Sequence, residues 1–405
     1  MSLKRNMLWN AAGNLAYLFA QWLVTVLVAR LFAFESAGIL SIAMSLSAIF
    51  QTVAFFGMRN YQVSDVAEKH SDSAYFAFRH VSALSSLLLA LAFAVILGYR
   101  AETLIAILLY MLFRIVECYA DVLHGMAQRR GRLDIAGRGF AIKAVALLVG
   151  FWVGRLLGDT LLWALTGMLI GSLSSTLLYD LPVVKRLTSF SLCSPCKGLS
   201  LAKETFPLCI YFFLLSAISS LPKFVLEAEV GTETLGAYAS IFAPCLLITG
   251  IAGYLYAPLI PTFATLAARG EEKKFRRLFF ILVLCFLLIL LLLLAAAYFL
   301  GDWALSLVFG EAILPYAFLL YAILVAVFGT AILSFFCMLA VVRRRFLALC
   351  ISTGAGALCS GLSAFPLIIA FGAAGASYAL LLASALSVLL LCPAVFRPGI
   401  REERR

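Results

Sequence analysis

Residues 278–300 run from Leu278 to Leu300 without a charged or strongly polar side chain. A helix advances about 1.5 Å per residue, so roughly 20 apolar residues cross a bilayer. A run of this length is hard to place in a water-soluble fold. Eleven further apolar stretches have a similar look, and the twelve spans read as about 8–33, 37–58, 81–98, 103–126, 139–158, 160–181, 206–226, 235–257, 278–300, 312–341, 346–370 and 373–395. Composition supports this. The 405 residues are 64% hydrophobic and 13% charged, against roughly 25% charged in soluble chains. The expected fold class is an all-α polytopic membrane protein.

Charge sets the expected topology. Of the 31 Lys and Arg, 25 fall in the tails and alternate connections, including Arg59 to Arg79, Gln128-Arg129-Arg130-Gly131-Arg132, Lys185 to Lys203, Glu271 to Arg277 and Arg343-Arg344-Arg345. This is the positive-inside bias, and it places both termini in the cytoplasm. The net charge of +11 is thereby explained without a nucleic-acid partner. Lys4 and Arg5 precede a stretch of full span length, so no cleavable signal is expected. Most of the ten cysteines lie inside apolar runs, where a thiol is a small filler. Cys193 and Cys196 form one CxxC with no second pair and no nearby His, which is weak ground for a metal or redox site.

A plan seen near the start recurs 198 residues later. Glu35-Ser36-Ala37-Gly38, read as a tight turn with Phe34, has its counterpart in Glu233-Thr234-Leu235-Gly236, again followed by a long apolar run. Such internal duplication is common in transporters, with the functional site between the copies. The expected organisation is a six-helix lobe over 1–181, a cytoplasmic linker over 182–205, a second six-helix lobe over 206–395 and a basic tail over 396–405. An even number of spans per lobe makes the two copies parallel rather than inverted. Gly150, Gly154 and Gly158, with Gly167 and Gly171, are spaced for close helix packing inside the first lobe. Spans 9 and 10, apolar all round, read as peripheral.

The polar residues within spans are few. Asn10, Asn14, Tyr17 and Gln21 share one face of span 1, as either interhelical hydrogen-bonding groups or the wall of a hydrated cavity. Arg114, Glu117 and Asp121 recur at i, i+3 and i+7 on span 4. Each costs about 2.5–3.5 kcal/mol at the bilayer centre. Mutual neutralisation and a substrate or proton site both fit that stripe. Arg59 and Lys143 would add positive charge at the inner mouth, or form the ordinary basic collar of helix ends. Arg30 and Lys223, near outer ends, read as snorkelling residues. In the repeat, Arg30 and Arg59 match Ala228 and Ala257, so the first lobe carries cations that the second lacks. That asymmetry suits an anionic head group. Three histidines lack metal-ligand spacing, and no GxSxG, P-loop or dinucleotide fingerprint occurs. Neither a cofactor nor a metal is expected, and the chain does not read as an enzyme.

The segments Leu8 to Asn14, Ala29-Arg30-Leu31, Gly57 to Asp65, Gly125 to Asp134 and Leu235 to Tyr238 together resemble bacterial polysaccharide-unit (O-antigen type) flippases. These belong to the multidrug/oligosaccharidyl-lipid/polysaccharide exporter superfamily, whose fold is MATE-like. The resemblance implies two six-helix lobes around a cavity that opens alternately to each side of the bacterial inner membrane. It implies an undecaprenyl-pyrophosphate-linked oligosaccharide as cargo, moved from inner to outer leaflet. Membrane lipids, a polysaccharide polymerase and chain-length machinery are the implied neighbours. Arg59 is carried over through its Gly57-to-Asp65 motif. Arg114, Lys143, Asn14 and Gln21 as binding residues, and Glu117 and Asp121 as coupling residues, rest on helix geometry. The chain lacks the two extra spans of lipid II flippases and a recognisable sodium-site pattern. A multidrug or cation antiporter of the same fold is the alternative. A polymerase or ligase would need a larger outer loop.

Overall fold

The computed structural model describes residues 3–65, 69–192, 198–256 and 259–396. Cys193, Cys196 and the basic tail from Arg397 lie outside the described residues. Among these residues all regular structure is helical, and twelve helices are long and apolar enough to cross a membrane. The chain divides into two compact units, Met1–Ser216 and Ala217–Arg405.

The first unit holds α1 (Leu3–Leu31), α2 (Ala33–Phe55), α3 (Met58–Ser64), α4 (Asp72–Ile96), α5 (Ala101–Arg129), α6 (Leu133–Leu157), α7 (Leu161–Ser175), a π-helical turn (Thr176–Asp180) and α8 (Leu181–Leu187). It also takes the first half of α9 (Gly198–Val230). Lipid removes the usual hydrophobic drive between helices, so small residues and hydrogen bonds must hold them. A Cβ on Gly13 of α1 would strike the backbone of Gly137 on α6. The expected glycine seam is also present: Gly150 abuts Gly167 and Gly171, and Gly154 abuts the Trp163 backbone.

Four expectations change. The first hairpin reverses at Phe32 and Ala33, the latter with φ of 68°, while Phe34 to Gly38 lie in the first turns of α2. Gly231, 198 residues after Ala33, makes the matching turn with φ of 98°. Both turns lie two residues before the Glu35 and Glu233 motifs. The segment 182–205 is helical at both ends. Its Val184 and Leu201 are buried with Met58, Tyr75, Leu123 and Met126, so the unit boundary falls at Ser216 and Ala217, inside α9. Arg79, taken with the inner loop, sits two turns into α4 and is fully buried.

The fourth concerns the second unit, which comprises the rest of α9, α10 (Thr232–Tyr256), α11 (Ile260–Arg269), α12 (Glu272–Phe309), a 3-10 turn (Glu311–Tyr316), α13 (Leu319–Val342), α14 (Phe346–Phe371) and α15 (Ala373–Phe396). Only 17% of the apolar window of α12 is buried, against 56% for α13. Span 9 is peripheral, but span 10 is central: α13 packs against α10, α12 and α15. A helix apolar all round suits an apolar helical core as well as lipid, so composition could not separate the two.

Candidate functional site

The site begins with a broken helix. Phe56 and Gly57 adopt left-handed conformations, φ 52° and 62°, which stop α2 and start α3. The break leaves carbonyls near the end of α2 without helical donors. Arg79 Nη1 donates to the Ala54 and Phe55 oxygens at 2.6 and 2.9 Å, and Ser82 Oγ donates to Ala54 O at 2.9 Å. The same break aims Arg59, second residue of α3, back at α5.

Arg59 Nη1 lies 3.2 Å from Asp121 Oδ1, and its Nε and Nη2 donate to Gln128 Oε1 at 3.3 and 3.1 Å. Arg79 Nη2 approaches the other Asp121 oxygen at 3.5 Å. Higher on α5, Arg114 donates to Glu117 and to Gln51 of α2. Gln21 Nε2 of α1 donates to Glu117 Oε1 at 3.3 Å. The structure thus draws Arg59 and Asp121 into one cluster and Arg114, Glu117 and Gln21 into a second, both set along α5. The ion pairs are not sealed, since the Arg59 and Arg114 side chains keep 25% and 20% exposure.

The remaining expected residues are placed differently. Asn14 is half-buried on α1, and Tyr17, of the same stripe, stacks on Phe140 of α6 at 5.8 Å. Lys143 is 1% exposed, so it lies inside the helix packing and not at an open mouth. The charges acting on it are Asp180 first, then Glu117, Arg114 and Asp121. Lys223, in the second unit, covers the Phe242 ring at 4.4 Å instead of snorkelling. An aromatic face offers a cation a partner within the packing.

The two motif segments 57–65 and 125–134 close on one another beside these clusters. A Cβ on Gly125 would strike Gln62, whose Nε2 reaches Val122 O at 3.4 Å. Arg129 bridges Asp72 Oδ1 and the Asp65 carbonyl, each at 3.2 Å, and Arg130 lies 2.9 Å from Asp72 Oδ2. Burial pushes the Asp65 carboxyl up. The Tyr75 hydroxyl, the Lys69 and His70 amides and the Arg129 charge outweigh it and hold the group below the usual carboxylate range.

Sequence reasoning missed Arg79, His124 and Asp180. His124 Nε2 and Asp180 Oδ1 are 2.9 Å apart and each side chain is 1% exposed. A signal existed for two of them: Arg79 interrupts an aromatic run, Ser73 to Val81, and Asp180 is a lone acid closing an apolar one. What the sequence could not show is that these charges meet partners from other helices. Among the described residues no group of three or more His, Cys, Asp and Glu is placed to hold a metal ion.

No family model matches the chain. A capsular polysaccharide biosynthesis protein, CapF of Staphylococcus aureus, is 26% identical over 315 residues, covering 76% of this chain and 77% of that protein. The lipid II flippase MurJ, in an inward closed conformation, superposes with a TM-score of 0.73 at 16% identity, covering 96% of this chain and 88% of that one. An inward-facing multidrug resistance MATE family transporter of the MOP superfamily gives 0.63 at 13% identity, covering 97% and 92%. The Vibrio cholerae MATE transporter VcmN, in its bent form, gives 0.56 at 14% identity, covering 97% and 95%. This chain is a multi-pass membrane protein with a MATE-like fold.

Proposed function

We propose that the protein is a flippase that carries an oligosaccharide linked to undecaprenyl pyrophosphate from the inner to the outer leaflet of the bacterial cytoplasmic membrane. The observation that carries this reading is the half-open arginine face on α3 and α5, where Arg59 and Arg114 hold their carboxylate partners without being sealed from an incoming anion. A guanidinium forks as readily onto a phosphate as onto a carboxylate. A diphosphate head group can therefore replace Asp121 and Glu117 one bond for another. The cost of parting each ion pair is then offset by the new one, and the lipid tail need never leave the bilayer.

The released carboxylates need compensation in their turn. Asp121 keeps Arg79, while Glu117 keeps the Gln21 amide. Protonation of Glu117 or Asp121 would weaken their claim on the arginines, and ionisation would restore it and expel the head group. Movement of the units then exposes the face to each side in turn. Support for the cargo comes from a fold shared with a lipid II flippase and from 26% identity to a capsular polysaccharide biosynthesis protein. The drug-antiporter alternative gains less, because Glu117 and Asp121 already face arginines and are poor seats for a cationic drug.

Deletion of the protein in its bacterial host tests the proposal. Undecaprenyl-diphosphate-linked saccharide should accumulate on the inner leaflet while surface polysaccharide falls. Normal surface polysaccharide without such a build-up would refute the cargo.

A further inference from the structure

We propose that the basic end of the second unit, formed by the start of α12 and the turn between α13 and α14, binds the head groups of anionic phospholipids. The corner is fixed by a buried arginine. Arg343, just past α13, forks onto Glu272 at 2.8 and 2.7 Å and covers the Phe275 ring at 4.2 Å. Phe275 meets Phe263 of α11 edge-on at 5.0 Å. The first turns of α12 are thereby held against both neighbours.

That frame also takes the acids away from the surface cations. Over 269–277 and 343–345 the chain carries eight Lys and Arg against Glu271 and Glu272 alone. Arg343 holds Glu272, and Lys274 holds Glu271 at 2.6 Å. Lys273, Arg277 and Arg344 are exposed, and among the described residues none of them has an ion pair. The basic connections of the first unit are built otherwise: Arg129 and Arg130 meet Asp72, Arg132 meets Asp134 and Lys69 meets Glu204. A bias of basic residues to one side of the membrane requires only that they be there. It makes no demand that they stand bare.

What selects a lipid as the partner is the surface beside these cations. The hydrocarbon layer takes about 20 helical residues, and α12 has 38. Lys273 and Arg277 precede its apolar run at 278–300 and so stand at head-group level. Phe280, Leu284, Leu288 and Leu291 follow on the same helix face and are exposed. One face thus offers two cations to a phosphodiester and, further along, an apolar strip to the acyl chains. Arg344 turns in a left-handed conformation, φ 55°, directly before α14, whose first turns expose Leu347 and Ile351. An acidic protein would use the cations and leave the strips uncovered, whereas a phospholipid uses both. Clustered cations at a membrane surface attract anionic lipid, and a guanidinium can fork onto its phosphate.

Native mass spectrometry of the full-length protein, titrated in detergent with phosphatidylglycerol or phosphatidylcholine, tests this. The parent should hold phosphatidylglycerol at least about tenfold more tightly than phosphatidylcholine, since each cation near an anionic head group is worth about fivefold. Lys273→Gln combined with Arg277→Gln should weaken phosphatidylglycerol at least about tenfold and leave phosphatidylcholine unchanged. Arg344→Gln should weaken it about fivefold, and carries the test alone if the double variant fails to fold. Arg132→Gln is the control: it removes the same charge from a paired site and should leave the preference intact. Equal affinity of the parent for both lipids overturns the proposal, as does phosphatidylglycerol binding unmoved in a folded variant. An Arg132→Gln loss as large as that of Arg344→Gln would reduce the effect to net charge and overturn it too. So would a dimer that the double variant splits, for it would make a second copy the occupant. No saccharide-linked lipid enters the measurement, so its outcome is independent of whether the flippase reading stands.

Discussion

The two units solve the problem of buried polarity in opposite ways. In the first, Arg79, Glu117, His124, Asp134, Lys143 and Asp180 are buried, and the partners of most of them stand on other helices. In the second, the buried polar side chains among the described residues are hydroxyls apart from Arg343, which forks onto Glu272 at 2.8 and 2.7 Å. Those hydroxyls largely look after themselves. Ser240, Ser352, Thr353, Ser384 and Ser387 each return their proton to a carbonyl four residues back in the same helix. A hydroxyl satisfied by its own helix places no demand on its neighbours. An ionised group in a membrane does. The first unit is accordingly constrained to one arrangement of charges. The second carries no such constraint.

Substitution should separate the two strategies. The largest effect is expected for Arg79→Met, which removes the charged donor from the Ala54 and Phe55 carbonyls of α2 and from one Asp121 oxygen, leaving Ala54 O only its Ser82 and Cys118 donors. Breaking such a buried group costs about 3–5 kcal/mol, to be read as a collapse of thermal stability in detergent. Next come Arg59→Ala and Arg114→Ala. Their guanidinium bonds are half-open, so folded protein should persist. Loss of one charge-assisted contact, about 1.5–3 kcal/mol, should cut polysaccharide export by roughly 10- to 100-fold. Export at the parental rate with parental protein level would remove that arginine from the site.

A smaller effect belongs to the rim formed by the two motif segments. Asp65 has its carboxyl held below the ordinary value of 3.8. A lowered folded value means that its contribution is present above the unfolded value and is lost as pH falls through the folded one. Asp65→Asn should therefore lower the melting temperature at neutral pH. The gap from the parent should shrink as the buffer is taken below about pH 4. A gap that holds constant with pH would show that the charge on Asp65 is not what fastens the rim. The smallest effect is predicted for Ser384→Ala in the second unit, within about 0.5 kcal/mol in a melting experiment. A large fall there would break the contrast, for it would mean that the second unit also depends on its buried polar groups.

Much of this was legible early because the controlling physics is local. Span 4 announces itself, since Arg114 and Glu117 at i, i+3 must meet on one helix face, and they do. The repeat was readable from Glu35 and Glu233, though the reversal lies at Ala33 and Gly231. Other features turn on which helices become neighbours. Nothing in the sequence pairs Arg79 with Asp121, 42 positions away, or His124 with Asp180, 56 away. Lys143 shows the same limit: its position in span 5 suggested an inner mouth, and packing of α6 seals it. Lys223 meets an aromatic face that only α10 can supply.

What the amino acids alone determined is the helical, membrane-crossing class and the rarity of intramembrane charge. Each follows from hydrocarbon thickness, the period of a helix and the cost of an unsolvated ion, none of which needs a neighbour to be named. What only the tertiary structure decided is the partner of each charge, the central place of α13 and the burial of Asp180 against His124. Helix–helix packing in lipid rests on small-residue contacts and a few polar bonds between distant segments. Such contacts leave little trace in any one stretch of the chain.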